Sequence, residues 1–164
     1  MCGRFALAAP PEEVRRVFGY DEQPNFPPRY NIAPTQPIAM VAQMEGRRRF
    51  MLVRWGLIPS WVKDTAAFTL LINARSETAA EKPAFRSAMK YRRCLIPASG
   101  FFEWRRPASG PKEPFYIRPA DQSIAAFAGL YETYASKDGS ELDTAAILTT
   151  DANSALSWIH DRLP

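Results

Sequence analysis

Histidine occurs once in this sequence, at position 160, and cysteine only twice, at positions 2 and 94. One imidazole and two thiols cannot assemble a Cys/His zinc cluster, so no metal is expected, and no other cofactor is called for. Two cysteines are also too few for a disulfide scaffold. No apolar run approaches the ~20 residues of a membrane span, and the first residues lack the pattern of a secretory signal. The expected compartment is therefore the cytoplasm, with no membrane partner. Lysine is scarce as well, five residues against sixteen arginines. An arginine fork holds phosphate in fixed geometry and stacks on bases, which a lysine point charge does not. The net charge of +4 is modest. Doubled and tripled arginines at 15–16, 47–49, 92–93 and 105–106 fit nucleic-acid binding, and equally an ordinary solvated surface.

The chemistry that is present begins at the second residue of Met1-Cys2-Gly3-Arg4-Phe5. If Met1 is removed, Cys2 carries an α-amine and a thiol on adjacent carbons. The amine ordinarily titrates at about 7.7 to 8.0 and the thiol at about 8.5, so both are partly deprotonated near neutrality. An amine condenses with an aldehyde to an imine, and the neighbouring thiol can then close a five-membered thiazolidine. Because both nucleophiles sit on one residue, the closure is intramolecular, where effective molarities reach about 10⁵ M or more. A small second residue with no chemistry at all is the plain alternative.

A chain of 164 residues with an apolar fraction of 46% suits one globular domain with a real core. Pro10-Pro11 followed by residues 12–18 and Gly19 reads as a short helix, with proline at its start and glycine just past its end. Residues 21–37, rich in proline, read as an extended irregular segment. Residues 38–43 and 47–55 flank Glu45-Gly46 as a hairpin. Residues 55–61 are turn-rich, 70–74 read as a buried strand, and 83–90 as a helix with proline in its first turn. Strands are expected at 94–98, 100–104, 115–118, 124–131 and 144–150, with a polar loop at 105–114. Asp151 is placed to cap a last helix over 152–158. This pattern predicts an α+β domain whose core is a curled, barrel-like, mostly antiparallel sheet with a few short helices.

Three further stretches could carry chemistry. Glu103 stands among Phe101, Phe102 and Trp104, surroundings that can raise a carboxyl toward neutrality and suit it to general acid–base work; an outward-facing Glu on an edge strand is the alternative. Asn73 and Arg75 lie two apart, so on a strand they share a face and could hold a sugar hydroxyl and a phosphate, or simply fix a loop. His160, the only imidazole, is either a proton shuttle or a structural residue.

Seven blocks, in order along the whole chain, resemble one family: residues 1–5 (MCGRF), 29–34 (RYNIAP), 55–59 (WGLIP), 73–78 (NARSET), 94–98 (CLIPA), 100–104 (GFFEW) and 160–162 (HDR). They are similar to the SRAP domain, the SOS response-associated peptidase family of abasic-site processing proteins. The resemblance implies a single domain over residues 1–164 that acts on single-stranded DNA containing abasic sites. It implies that mature Cys2 attacks the ring-opened aldehyde and ends as a thiazolidine DNA–protein crosslink that protects the lesion. Carried over by motif, Glu103 assists proton transfer, and Asn73 and His160 orient and protonate the open sugar. Arg4, Arg75 and Asn31 contact DNA, and Trp61 wedges or stacks bases. The resemblance further implies a monomer in the cytoplasm, nucleoid-associated when on DNA, and removal of Met1 by the chain itself. Members usually continue past the His-Asp-Arg block, so a chain ending at Pro164 is expected to lack their C-terminal segment. Two other classes fit a Cys-Gly start or the arginines. A glutamine amidotransferase, an N-terminal-nucleophile amidohydrolase, would use the α-amine as base, but its Arg-Gly-Pro and Asn-Gly motifs have no counterpart here. A non-catalytic single-stranded nucleic-acid-binding module would leave Cys2 indifferent.

Overall fold

The computed structural model describes residues 2–164. In chain order these form β1 (Arg4–Leu7), α1 (Pro11–Phe18), β2 (Arg29–Ile32), β3 (Pro37–Met44), β4 (Arg47–Trp55), β5 (Asn73–Arg75), α2 (Arg86–Tyr91), β6 (Arg93–Ala98), β7 (Gly100–Arg105), β8 (Glu113–Ile117), β9 (Ala125–Ala135), β10 (Glu141–Asp151) and β11 (Arg162–Leu163). Strands β10, β4, β3, β6 and β9 follow one another around a ring that closes where β9 pairs with β10, giving the barrel the pattern predicts. A second, four-stranded sheet runs β2-β1-β7-β8. None of the helices among the described residues is long and apolar enough to cross a membrane.

Local signals explain the elements that match expectation. Pro11 opens α1, Val14 and Phe18 bury one face, and Gly19 ends it at φ 67°, a backbone state that costs glycine little. Glu45 and Gly46, at φ 49° and 79°, form the two-residue turn whose twist suits a hairpin. Other boundaries shift. The second helix starts at Arg86 rather than 83, because residues 77–85 take successive turns instead. Leu71 makes a lone bridge to Leu57, and the strand expected over 70–74 forms at Asn73–Arg75, just after Ile72, whose carbonyl accepts from both the Ile147 amide at 3.0 Å and the Trp55 indole at 2.9 Å. Residues 29–32 form a strand on β1 where an irregular segment is expected.

The two sheets meet through aromatic rings. Phe5 from β1 stands edge-on to Trp55 at 5.2 Å and to Phe127 at 5.8 Å, and Phe101 from β7 meets Phe127 at 5.9 Å. Burying a phenylalanine contributes about 2 kcal/mol, and edge-to-face contact about 1 kcal/mol more. This seam fixes the start of β1 beside β7, and with it Cys2 beside Glu103.

Strand β10 performs the second act of positioning. Its early residues pair in parallel with the end of β4, and where β4 stops, β5 takes over the same edge, Asn73 opposite Ile147 and Arg75 opposite Thr149. On its other edge β9 gives way to β11, Asp151 opposite Arg162. One strand thus carries Arg75 and the His160–Arg162 segment to the same end of the barrel.

Candidate active site

Cys2 is fully buried just ahead of β1. Asn73 reaches it from β5: its Nδ2 donates to the Cys2 carbonyl at 2.9 Å, while its buried Oδ1 accepts no hydrogen bond among the described residues. Glu103, 3% exposed, comes from the face of β7 that looks into the molecule. Burial first, and then the Glu103 charge, push the Cys2 thiol up to about 12. At neutral pH the sulfur therefore keeps its proton. Cys94, in β6, is pushed to about 12 by burial alone. What distinguishes Cys2 is thus its place, with a carboxylate and a side-chain amide against it.

Arg4, two residues on, is bound through Nη1 to Asn31 Oδ1 at 3.0 Å on the exposed side of the β1–β2 pair. A cavity of about 600 Å³ opens between Arg75, Trp104, Arg106, Trp158 and His160. Successive residues of β7 divide the labour: Glu103 faces inward and Trp104, 37% exposed, faces this cavity.

His160 Nδ1 lies 2.9 Å from the Arg162 amide and 2.7 Å from an Asp161 carboxylate oxygen. One ring nitrogen cannot accept from the first and donate to the second together. The amide, fixed by backbone, takes the lone pair of the neutral ring; a protonated ring donates to Asp161 instead. The expected helix over 152–158 does not form. Asp151 is engaged by Arg162 at 2.6 Å rather than capping, Asn153 takes the capping contact with the Leu156 amide, and the chain turns back to pair as β11.

Arg162 anchors this return. It is buried, grips both oxygens of Glu77 at 2.9 Å, and donates to the Thr149 carbonyl at 2.6 Å. Hydrogen bonds from Arg162, first among several causes, hold the Glu77 carboxyl down to about 2 from its ordinary 4.5. A folded value below the unfolded one stabilises above about pH 4.5 and is lost as pH falls through about 2. Since the Glu77 side chain is 43% exposed, the effect is modest. Melting temperatures of the wild type and Glu77→Gln should differ by a constant margin near neutrality and converge toward pH 2. A margin that persists there would assign the difference to packing instead.

The structure therefore brings Cys2, Asn73 and Glu103 together, joins Arg4 to Asn31, and places Arg75 with His160. Trp61, 57% exposed, stands edge-on to Phe68 at 5.8 Å, beside the small cluster of Ile58, Val62 and Tyr134. Sequence reasoning missed Trp104, Trp158 and the Arg162–Glu77 pair. The alternation of Glu103 and Trp104 on a strand was the signal for the first.

The second residue is thus fully buried at the seam of a small barrel and a four-stranded sheet. The family itself follows from comparison with known proteins. The model of the family described as SOS response associated peptidase (SRAP) matches residues 1–164, and the chain belongs to that family. Abasic site processing protein YoaM of Bacillus subtilis (strain 168) is 41% identical over 167 aligned residues, which take in 100% of this chain and 74% of YoaM. Abasic site processing protein YoqW of the same organism is 40% identical, with 100% and 75% covered. A solved protein structure from Bacteroides thetaiotaomicron superimposes with a TM-score of 0.89 at 30% identity, covering 99% of this chain and 75% of that one. The glutamine amidotransferase reading and the plain binding module are not favoured.

Proposed function

We propose that this chain recognises abasic sites in single-stranded DNA and captures them covalently through Cys2 once Met1 has been removed. The observation that carries the reading is the convergence of Asn73 and Glu103 on a buried second-position cysteine, beside a cavity walled by arginine and tryptophan. The names of relatives such as YoaM point the same way.

The α-amine attacks the aldehyde carbon of the open sugar, and the carbinolamine loses water to give an imine. The Cys2 sulfur then bonds to the imine carbon while the thiol proton passes to the ring nitrogen, so one water is released in all. Glu103, buried against Cys2, is the group placed to relay that proton. Asn73 holds the Cys2 backbone, and His160 protonates the sugar oxygen. Arg4 with Asn31, and Arg75, hold phosphates on either side. Residues 1–164 belong to one domain, and it acts as a monomer. It frees its own amine by releasing Met1.

Intact mass tests this directly. Protein without Met1, mixed with a single strand bearing one abasic site, should gain the mass of the oligonucleotide less one water. Formation should be slower on a stiff duplex and should fall steeply with added salt. An unchanged protein mass, or the same adduct from protein that retains Met1, would refute the proposal.

A further inference from the structure

We propose that Trp158 is a stacking platform for one unpaired base of the strand that flanks the reaction site, an inference that rests on the reading of that site given above. The indole is fixed before any ligand arrives. Its Nε1 donates to the Ala155 carbonyl at 2.9 Å, Phe115 meets it edge-on at 5.1 Å, and the Arg105 guanidinium lies 5.5 Å from its ring. Arg105 is held in turn by Glu113 at 2.7 Å. Yet Trp158 remains 52% exposed and lines the same cavity as Arg75, Arg106 and His160. A large ring held this firmly, half of it left to solvent, gains nothing as core.

The surroundings select the occupant. Arginines around the ring disfavour an apolar protein partner and favour a polyanion that carries flat rings, which is what a single strand offers. Position selects which base. Trp158 and His160 are two positions apart in the chain, a reach of at most about 7 Å, so the base taken is next to the nucleotide held at His160. Stacking on an aromatic side chain is sequence-tolerant, which suits lesions that arise next to any base.

The test uses DNA that cannot react. Wild type, Trp158→Ala and Trp158→Phe are titrated with an intact single strand, and then with strands in which one base at a time is replaced by a tetrahydrofuran spacer. Trp158→Ala should bind the intact strand about five- to a hundredfold more weakly, and Trp158→Phe should fall between. In the wild type one spacer position should weaken binding, and in Trp158→Ala that position should be silent. DNA binding should also quench indole emission, and Trp158→Phe should lessen that quenching. Wild-type affinity in a folded Trp158→Ala, a spacer effect that persists in it, or equal quenching in Trp158→Phe would overturn the platform. A wild type that shows the Trp158 effects but forms no adduct with abasic DNA would sink the crosslinking reaction and leave the platform standing.

Discussion

Cys2→Ser is expected to abolish the adduct that survives heating, while still giving an imine that borohydride traps. The serine variant keeps the α-amine, the Asn73 contact to the residue-2 carbonyl and the buried setting, and it loses only the sulfur. Imine formation needs the amine alone. The second bond needs a nucleophile one carbon away, and an intramolecular thiol at an effective concentration of about 10⁵ M or more draws a reversible imine almost wholly into the ring. The expected effect is therefore the largest in this protein, from near-complete retention of the crosslink after heating to none. Denaturing gels before and after heat, with and without borohydride, give the readout. A Cys2→Ser adduct as heat-stable as the wild type would show that no thiazolidine forms.

How much of this arrangement was legible in the sequence depends on how far apart the cooperating residues lie. The ends of α1 and the β3–β4 turn rest on Pro11, Gly19 and Gly46, residues whose own backbone preferences decide the matter, and both were anticipated. The helix expected over 152–158 failed because its cap, Asp151, had a stronger partner in Arg162, a residue that arrives only after the chain has turned back. Strand β5 begins only at Asn73, since Leu71 is bridged to Leu57 instead. Neither competitor lies within the window from which a local reading is made.

The site shows the same division. The reactivity of Cys2 follows from its position in the chain and needs no fold. That Asn73 and Glu103 would converge on it was expected only from the family resemblance, because the contact between Asn73 and Cys2 spans 71 residues and no periodicity links them. The pairing of Glu103 inside and Trp104 outside is a strand's alternation, readable once the inner face is known. The inner face is known only from Phe101 packing on Phe127 across the sheet seam.

Glu103→Gln and His160→Ala should separate the steps of the reaction. Glu103, buried against Cys2 on the inner face of β7, faces the bonds being made at Cys2 itself. It is placed to move protons as the carbinolamine loses water and as the thiol closes on the imine, steps required whatever aldehyde is offered. His160 lines the outer cavity with Arg75, where the sugar of a bound strand would lie. With Nδ1 facing the Arg162 amide, Nε2 is the ring nitrogen left to pass a proton to the sugar oxygen as the hemiacetal opens. General acid–base groups contribute about 10² to 10⁴ in rate. Glu103→Gln should therefore slow capture of both an abasic site and a small open aldehyde by about that factor. His160→Ala should slow capture and release of the abasic site to a similar degree and leave the small aldehyde untouched, since that substrate has no ring to open. The two rates, measured by mass spectrometry on each variant with each aldehyde, decide the assignment. Equal loss of small-aldehyde reactivity in both variants, or a His160→Ala crosslink that reverses at the wild-type rate, would remove His160 from the sugar and return it to a structural role.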